Sequence, residues 1–209
     1  MKKIYLSMLI MGVSISTLNA QISDDVKFGI VAGVNFNNMS KNLNSKTGFH
    51  VGVKAELDLP QISDGVYLEM SGLLASKGAK FDGGYEVGNI NATYLEVPIH
   101  LGYKYDINSD IKAIGNFGPY FGIGLFGKVK YDNYWKGEDE ESTFGSEGLI
   151  KNFDFGLGLN LGIELKEKLQ FTFGYDFGLV NMNKIYHKGA VTNDLKNSNF
   201  KLTMAYIFN

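Results

Sequence analysis

Cysteine is absent from this 209-residue chain. That excludes disulfides, thiolate metal sites, a thiol nucleophile and an N-terminal lipoprotein anchor, which needs a cysteine at its cleavage site. A basic excess is missing too. The net charge is -2, so nothing favours a nucleic-acid partner. Proline occurs only 3 times. No helical period of 3.6 runs through the body of the chain, and no apolar run is long enough for a membrane-crossing helix. The longest apolar stretch, Ile4 to Val13, follows Lys2 and Lys3 and precedes Ala20-Gln21. A basic start, a short apolar core and a small residue before the cut are the layout of a secretory signal peptide. Residues 1–20 are therefore expected to be a signal peptide and residues 21–209 the mature domain.

What is abundant is glycine, with 26 residues, and aromatics, at 13%. Together with regular turn signals they point to β structure with close backbone approach. The period is clearest from Lys151 to Val180. Phe153, Phe155, Leu157, Leu159, Leu161, Ile163 and Leu165, then Leu169, Phe171, Phe173, Tyr175, Phe177 and Leu179, occupy the odd positions. Asp154, Gly156, Gly158, Asn160, Gly162 and Glu164, then Gln170, Thr172, Gly174, Asp176 and Gly178, occupy the even ones. One face is apolar and the other is glycine and polar groups, a strand period of two held through a tight turn at Lys166-Glu167-Lys168.

The same alternation predicts six more strands: from Phe28, Gly48, Val66, Ala92 and Ile111, and a last one from Phe200 to Phe208. Polar loops are expected at Asn37–Thr47, Lys77–Asn91, Tyr131–Leu149 and Asn181–Asn197, and short turns at Pro60–Gly65 and Asp106–Asp110. Pro98 removes a ladder hydrogen bond, so a bulge is expected there. Gly115, Gly118, Pro119 and Gly122 suggest a register change in the fifth strand. Eight strands with long and short connections in alternation predict an all-β, eight-stranded antiparallel up-and-down barrel.

Two barrels fit that pattern. A soluble lipocalin-like carrier turns its apolar face inward to a ligand, and an outer-membrane barrel turns it outward to lipid. The polar face here is mostly glycine with a few charges, which suits a crowded lumen better than a solvated exterior. All the strand charges fall on that face. A lysine facing lipid at mid-bilayer would cost roughly 2–4 kcal/mol, and the sequence makes no such error. Tyr103, Tyr105, Tyr206 and Phe208 are expected as an aromatic girdle on the short-turn side, with Tyr131, Tyr134 and Trp135 on the other.

LEMSGLLASKGAKF (Leu68 to Phe81), YLEVPIHLGYKY (Tyr94 to Tyr105) and GNFGPYFGIGL (Gly115 to Leu125) resemble the blocks of the PorT-type outer-membrane β-barrel family. The likeness covers nearly the whole mature chain and has the small, OmpX-like eight-stranded architecture. It implies a Gram-negative outer-membrane location, and some members of the family are implied in secretion across that membrane.

The chemistry expected inside is a polar lumen network of Lys54, Glu56, Glu69, Glu96, His100, Lys104, Asp154, Glu164, Asp176 and Lys201. It can be read as an ion or proton path, or as salt bridges filling a barrel whose interior is just wide enough for side chains. The second reading is the simpler one. His50, His100 and His187 are the only histidines. None accompanies a nucleophile motif, and no two share a metal-ligand spacing. Glu138, Asp139, Glu140, Glu141 and Glu147 make an acidic loop without calcium-loop spacing, read as solvated. The expectation is a non-enzymatic barrel without cofactor or metal, its lumen filled by side chains and its extracellular loops serving binding or envelope and secretion support. The alternatives are a lipid-modifying membrane enzyme and the soluble carrier. Expected partners are outer-membrane lipid, the barrel-assembly machinery and other envelope or secretion proteins, with the barrel itself a monomer.

Overall fold

The computed structural model describes residues 26–38, 44–82, 86–133, 137–145, 150–182 and 195–208. The expected signal peptide lies outside the described residues. Nine strands are described: β1 (Val26–Asn38), β2 (Asn44–Asp58), β3 (Val66–Asp82), β4 (Glu86–Asp106), β5 (Ile111–Asn133), β6 (Gly137–Ser142), β7 (Phe153–Leu165), β8 (Leu169–Gly178) and β9 (Ser198–Phe208). Every pairing is antiparallel, in the order β4-β3-β2-β1-β9-β8-β7-β5, and β4 pairs with β5 to close the ring. That is the expected eight-stranded barrel. Among the described residues β6 pairs only with the far end of β5, so it is a flap on the rim rather than a ninth stave.

The alternation sets which side chains go in. Ile30, Phe49, Val53, Met70, Leu101, Phe117, Leu161, Phe173 and Leu202 are exposed on the outside, while Lys54, Glu56, His100, Asp154, Glu164 and Gln170 are buried inside. A water-soluble monomer does not leave an apolar belt of this extent uncovered. Such a face is suited to hydrocarbon, where each strand needs only about 9–11 residues to cross. The lipocalin-like reading, with the apolar side inward, is overturned by this orientation. Tyr103, Tyr105, Tyr206 and Phe208 are exposed at the short-turn end of the belt. Tyr134, Trp135 and the side chain of Tyr131 lie outside the described residues.

Several sequence boundaries are corrected. The stretch Lys77–Asn91, expected as a loop, is mostly strand, because β3 and β4 stay paired up to Asp82 and Val87. β1 and β2 likewise pair through Asn37 and Lys46. The Tyr131–Leu149 loop contains β6. Glycine and polar residues in these stretches look like loop, yet cross-strand pairing continues above the apolar belt, where no hydrophobic pattern is required. β3, β4 and β5, at 17, 21 and 23 residues, rise well beyond β8 at 10.

Two expected irregularities move. Register on both sides of Pro98 is unchanged, so no bulge forms there. β5 runs in unbroken register against β7 from Ile111 to Ile123, through all its glycines. The slip lies later, between Thr93↔Phe126 and Tyr94↔Gly124, where Leu125 is the extra residue. It reverses the parity of β5, so Val129 points inward, where strict alternation had put it outward, and Phe126 points to the outside.

Candidate functional site in the barrel lumen

The lumen is filled in layers. The layer nearest the short turns is built from β2, β3, β4, β7 and β8. Lys54 Nζ lies 2.9 Å from Glu56 Oε1 and 2.7 Å from Glu69 Oε2. Lys104 Nζ lies 2.7 Å from both Glu56 Oε2 and Glu164 Oε2. Gln170 ties the set together: its Nε2 donates to Glu56 Oε1 at 2.8 Å and Glu164 Oε2 at 2.6 Å, and its Oε1 accepts from Lys54 at 2.7 Å. Lys104 also sits 5.0 Å from the centre of the Tyr67 ring. Tyr67 has room because Gly102 stands opposite it, where any Cβ would collide with the ring. Two ammonium groups among three carboxylates, bridged by one amide, leave each buried charge with a partner, as burial requires.

The middle layer holds the two described histidines. His50 Nδ1 is 2.7 Å from Asn35 Oδ1, and its Nε2 is 3.1 Å from Thr203 Oγ1. His100 Nδ1 is 3.0 Å from Asn116 Oδ1 and 3.1 Å from Asn160 Nδ2. Lys201 Nζ pairs with Asp176 Oδ1 at 2.8 Å. A space of about 40 Å³ lies here, bordered by His50, His100, Lys54, Lys201, Asn116 and Thr203. It exceeds the roughly 10–15 Å³ that a single water molecule needs and has room for a few. His100 Nε2, close over Gly158, has no hydrogen-bond partner among the described residues.

The upper layer centres on Lys77, which is fully buried. It pairs with Glu96 and lies 3.3 Å from Asp154 Oδ2. Its ammonium stands 5.0 Å from the ring of Tyr120 and 5.5 Å from that of Tyr94. Asp154 Oδ2 also accepts from Asn197 Nδ2 at 2.7 Å and Tyr120 Oη at 3.4 Å. Above this group the chain folds back into the barrel mouth. Phe144, Ile150 and Met182 pack with Ala79, Ile90, Ala92, Tyr94 and Val129 into one apolar cluster. Phe144 meets Tyr94 edge-on at 5.3 Å and fits over Gly124, which has no Cβ to displace it.

All ten residues expected in the lumen network lie inside the barrel: Lys54, Glu56, Glu69, Lys104 and Glu164 in the lower layer, His100, Asp176 and Lys201 in the middle, Glu96 and Asp154 in the upper. They fall in three layers, the lower and middle joined by Asn116, whose Nδ2 donates to Glu69 Oε2 at 3.2 Å and whose Oδ1 lies 3.0 Å from His100 Nδ1. Lys77 was missed because it sat in an expected loop. Its parity with Tyr67, Glu69 and Leu73 was the available signal. The pairing of His50 with Thr203 was also missed, since the two are 153 positions apart. His187 lies outside the described residues. No group of three or more metal-ligating side chains occurs among the described residues. The side chains of Glu138, Asp139 and Glu141, and all of Glu147, lie outside the described residues. Glu140 is held by Lys128 and Lys130, and the Lys128 ammonium lowers its carboxyl below the ordinary glutamate value.

No curated protein is significantly similar to the chain. Among solved structures, the Neisserial surface protein A is 10% identical, covering 90% of this chain and 100% of its own, with a TM-score of 0.48. OprG of Pseudomonas aeruginosa is 13% identical, covering 88% and 94%, with a TM-score of 0.48. The outer membrane enzyme PagL is 14% identical, covering 87% and 99%, with a TM-score of 0.38. Likenesses this distant say nothing about activity. The sequence itself is more decisive: residues 19–184 match the family described as "Outer membrane protein beta-barrel domain". With the closed ring, the apolar exterior and that match over most of its length, the chain belongs to the outer membrane protein β-barrel domain family.

Proposed function

We propose that the protein is a non-enzymatic outer-membrane barrel of the PorT type, with a sealed lumen, that acts through the end carrying the long connections. There it binds, or supports other envelope or secretion proteins. The observation that carries this reading is the lower layer: Lys54, Glu56, Lys104, Glu164 and Gln170 bridge the barrel from β2 to β8 with 2.6–2.9 Å contacts. A side-chain plug of that density supports a scaffold rather than a pore. Planar-bilayer recordings of the purified protein test it. No stable conductance steps are expected, and steps of constant size would refute the sealed lumen.

The lipid-modifying enzyme is kept as a second reading because of one contact, His50 Nε2 to Thr203 Oγ1 at 3.1 Å with Asn35 behind the ring. It is the weaker one, since the hydroxyl faces the interior between two ion-paired layers, away from the lipid belt. Envelope lipid profiles of Thr203→Val, His50→Ala and His100→Ala strains are expected to equal that of the parent. A change shared by Thr203→Val and His50→Ala would favour the enzyme.

A further inference from the structure

On the outer face, just above the apolar belt, β2 to β5 carry a tier of lysines that the lumen does not use. Lys46 is laid flat across β3. Its stem passes over Gly78, where a Cβ would meet it at 2.9 Å, and its ammonium reaches Asn89 Oδ1 at 2.7 Å, Ile90 O at 3.2 Å and Asn91 Oδ1. Lys80 stands beside it, paired in register with Asn44 and Asn89. On the other side Asn91 faces Lys128 and Asn89 faces Lys130 in the β4–β5 register. Neighbouring outward positions on a strand are roughly 7 Å apart, so the four ammonium groups and two amides share one patch. Glu140 pairs with Lys128 and Lys130; the side chains of Asp82 and Asp132, next outward on the strands of Lys80 and Lys130, lie outside the described residues.

The height of the patch points to its occupant. On β4 the apolar outward row runs from Tyr105 up to Leu95, and Asn91 is four positions further. At a strand tilt near 45° that is roughly 10 Å along the barrel axis, which reaches the outer side of a headgroup zone roughly 5–7 Å thick. Directly beneath are Ser76, Thr93 and the exposed Phe126, aligned by register. One tier lower Leu74 and Leu95 begin the apolar surface, for which a soluble anion has no use. We infer that Lys46, Lys80, Lys128 and Lys130, with Asn89 and Asn91, form a site for the phosphate of an anionic lipid headgroup in the outer leaflet, whose acyl part lies on the Leu74–Leu95 surface. The inference rests on the outer-membrane reading.

The test uses the full mature protein in neutral detergent, with diphosphoryl lipid A as probe and native mass spectrometry as readout. The parent protein is expected to retain the lipid, more weakly as salt rises. The triple variant Lys46→Gln/Lys80→Gln/Lys128→Gln is expected to bind about tenfold or more weakly. Lys151→Gln, at the same end but away from the patch, is expected to match the parent. Heat-dependent gel mobility checks folding. If the triple variant misfolds, Lys80→Gln alone, which removes no described contact, is expected to bind severalfold more weakly. Equal binding by the folded variant and the parent, or equal binding of inorganic pyrophosphate and lipid A, would overturn the site while leaving the barrel in the membrane. A protein that fails to insert into vesicles would instead refute the outer-membrane reading.

Discussion

The lower and upper layers of the lumen solve one problem, buried charge, in different ways. The lower layer shares its load: two lysines, three carboxylates and Gln170 are cross-linked so that Glu56 and Gln170 each have more than one partner. The upper layer depends on a single ammonium. Lys77 alone faces Glu96 and Asp154, helped by the rings of Tyr94 and Tyr120 and roofed by Phe144, Ile150 and Met182. Redundancy against dependence is the lesson. A lumen inside the membrane must satisfy charges with its own side chains, whereas one that rises above it can add an apolar roof supplied by the connections.

The largest effect is therefore expected at Lys77. Lys77→Met leaves two carboxylates buried without a cation, and should cost about 3–5 kcal/mol. Lys104→Met should fall near the lower end of that range, since Lys54 still holds Glu56. Urea unfolding in micelles, followed by gel mobility, measures both. Equal losses would dissolve the contrast between the layers. Phe144→Ala removes the roof and should cost about 3 kcal/mol, with faster hydrogen exchange in residues 150–152 but not around Gln170. Gln170→Leu leaves Glu56 and Glu164 short of a donor, and is expected to cost roughly 1–3 kcal/mol.

Smaller effects are expected at the Lys166-Glu167 turn, outside both layers. Both residues have positive φ, 50° and 59°, the region that Asn-Gly fills more readily. Lys166→Asn/Glu167→Gly should stabilise the barrel by up to about 1 kcal/mol, less the loss of the Lys112–Glu167 pair. That pair, 2.9 Å apart, holds the Glu167 carboxyl below its ordinary value, chiefly through the Lys112 hydrogen bond. A lowered carboxylate value stabilises the fold above its unfolded pKa, and this is lost as pH falls through the folded value. Because the pair is half exposed, the step between neutral pH and acid should be no more than a few tenths of a kcal/mol. It should vanish in Glu167→Gln.

The fold was legible because a bilayer enforces alternation. In the Phe153–Leu179 hairpin every apolar side chain shares one parity, so the strands could be read with one face apolar throughout. Above the belt the constraint lapses, so Lys77, Ala79 and Ile90 looked like loop although they line the barrel. The slip at Leu125 was not read from the sequence, although strict alternation leaves Phe126 on the polar parity; Gly124 and Gly127 flank the Leu125–Phe126 pair and ease the backbone shift. Within the belt, the lumen residues could be assigned to the inside one at a time. Their grouping into layers could not, because partners such as Lys54 and Gln170 are 116 positions apart and meet only once the ring closes.

The chain has no cysteine, which makes single-cysteine spin labelling direct. Labels placed in vesicle-inserted protein at Leu159, Asn160, Leu161, Glu164 and Phe173 would be read by relaxation with oxygen, which partitions into lipid, and with a water-soluble nickel chelate. Expected is high oxygen access at Leu159, Leu161 and Phe173, and little access of either reagent at Asn160 and Glu164. Nickel access at Asn160 would reveal an open pore, and oxygen access in the opposite phase would turn the barrel inside out.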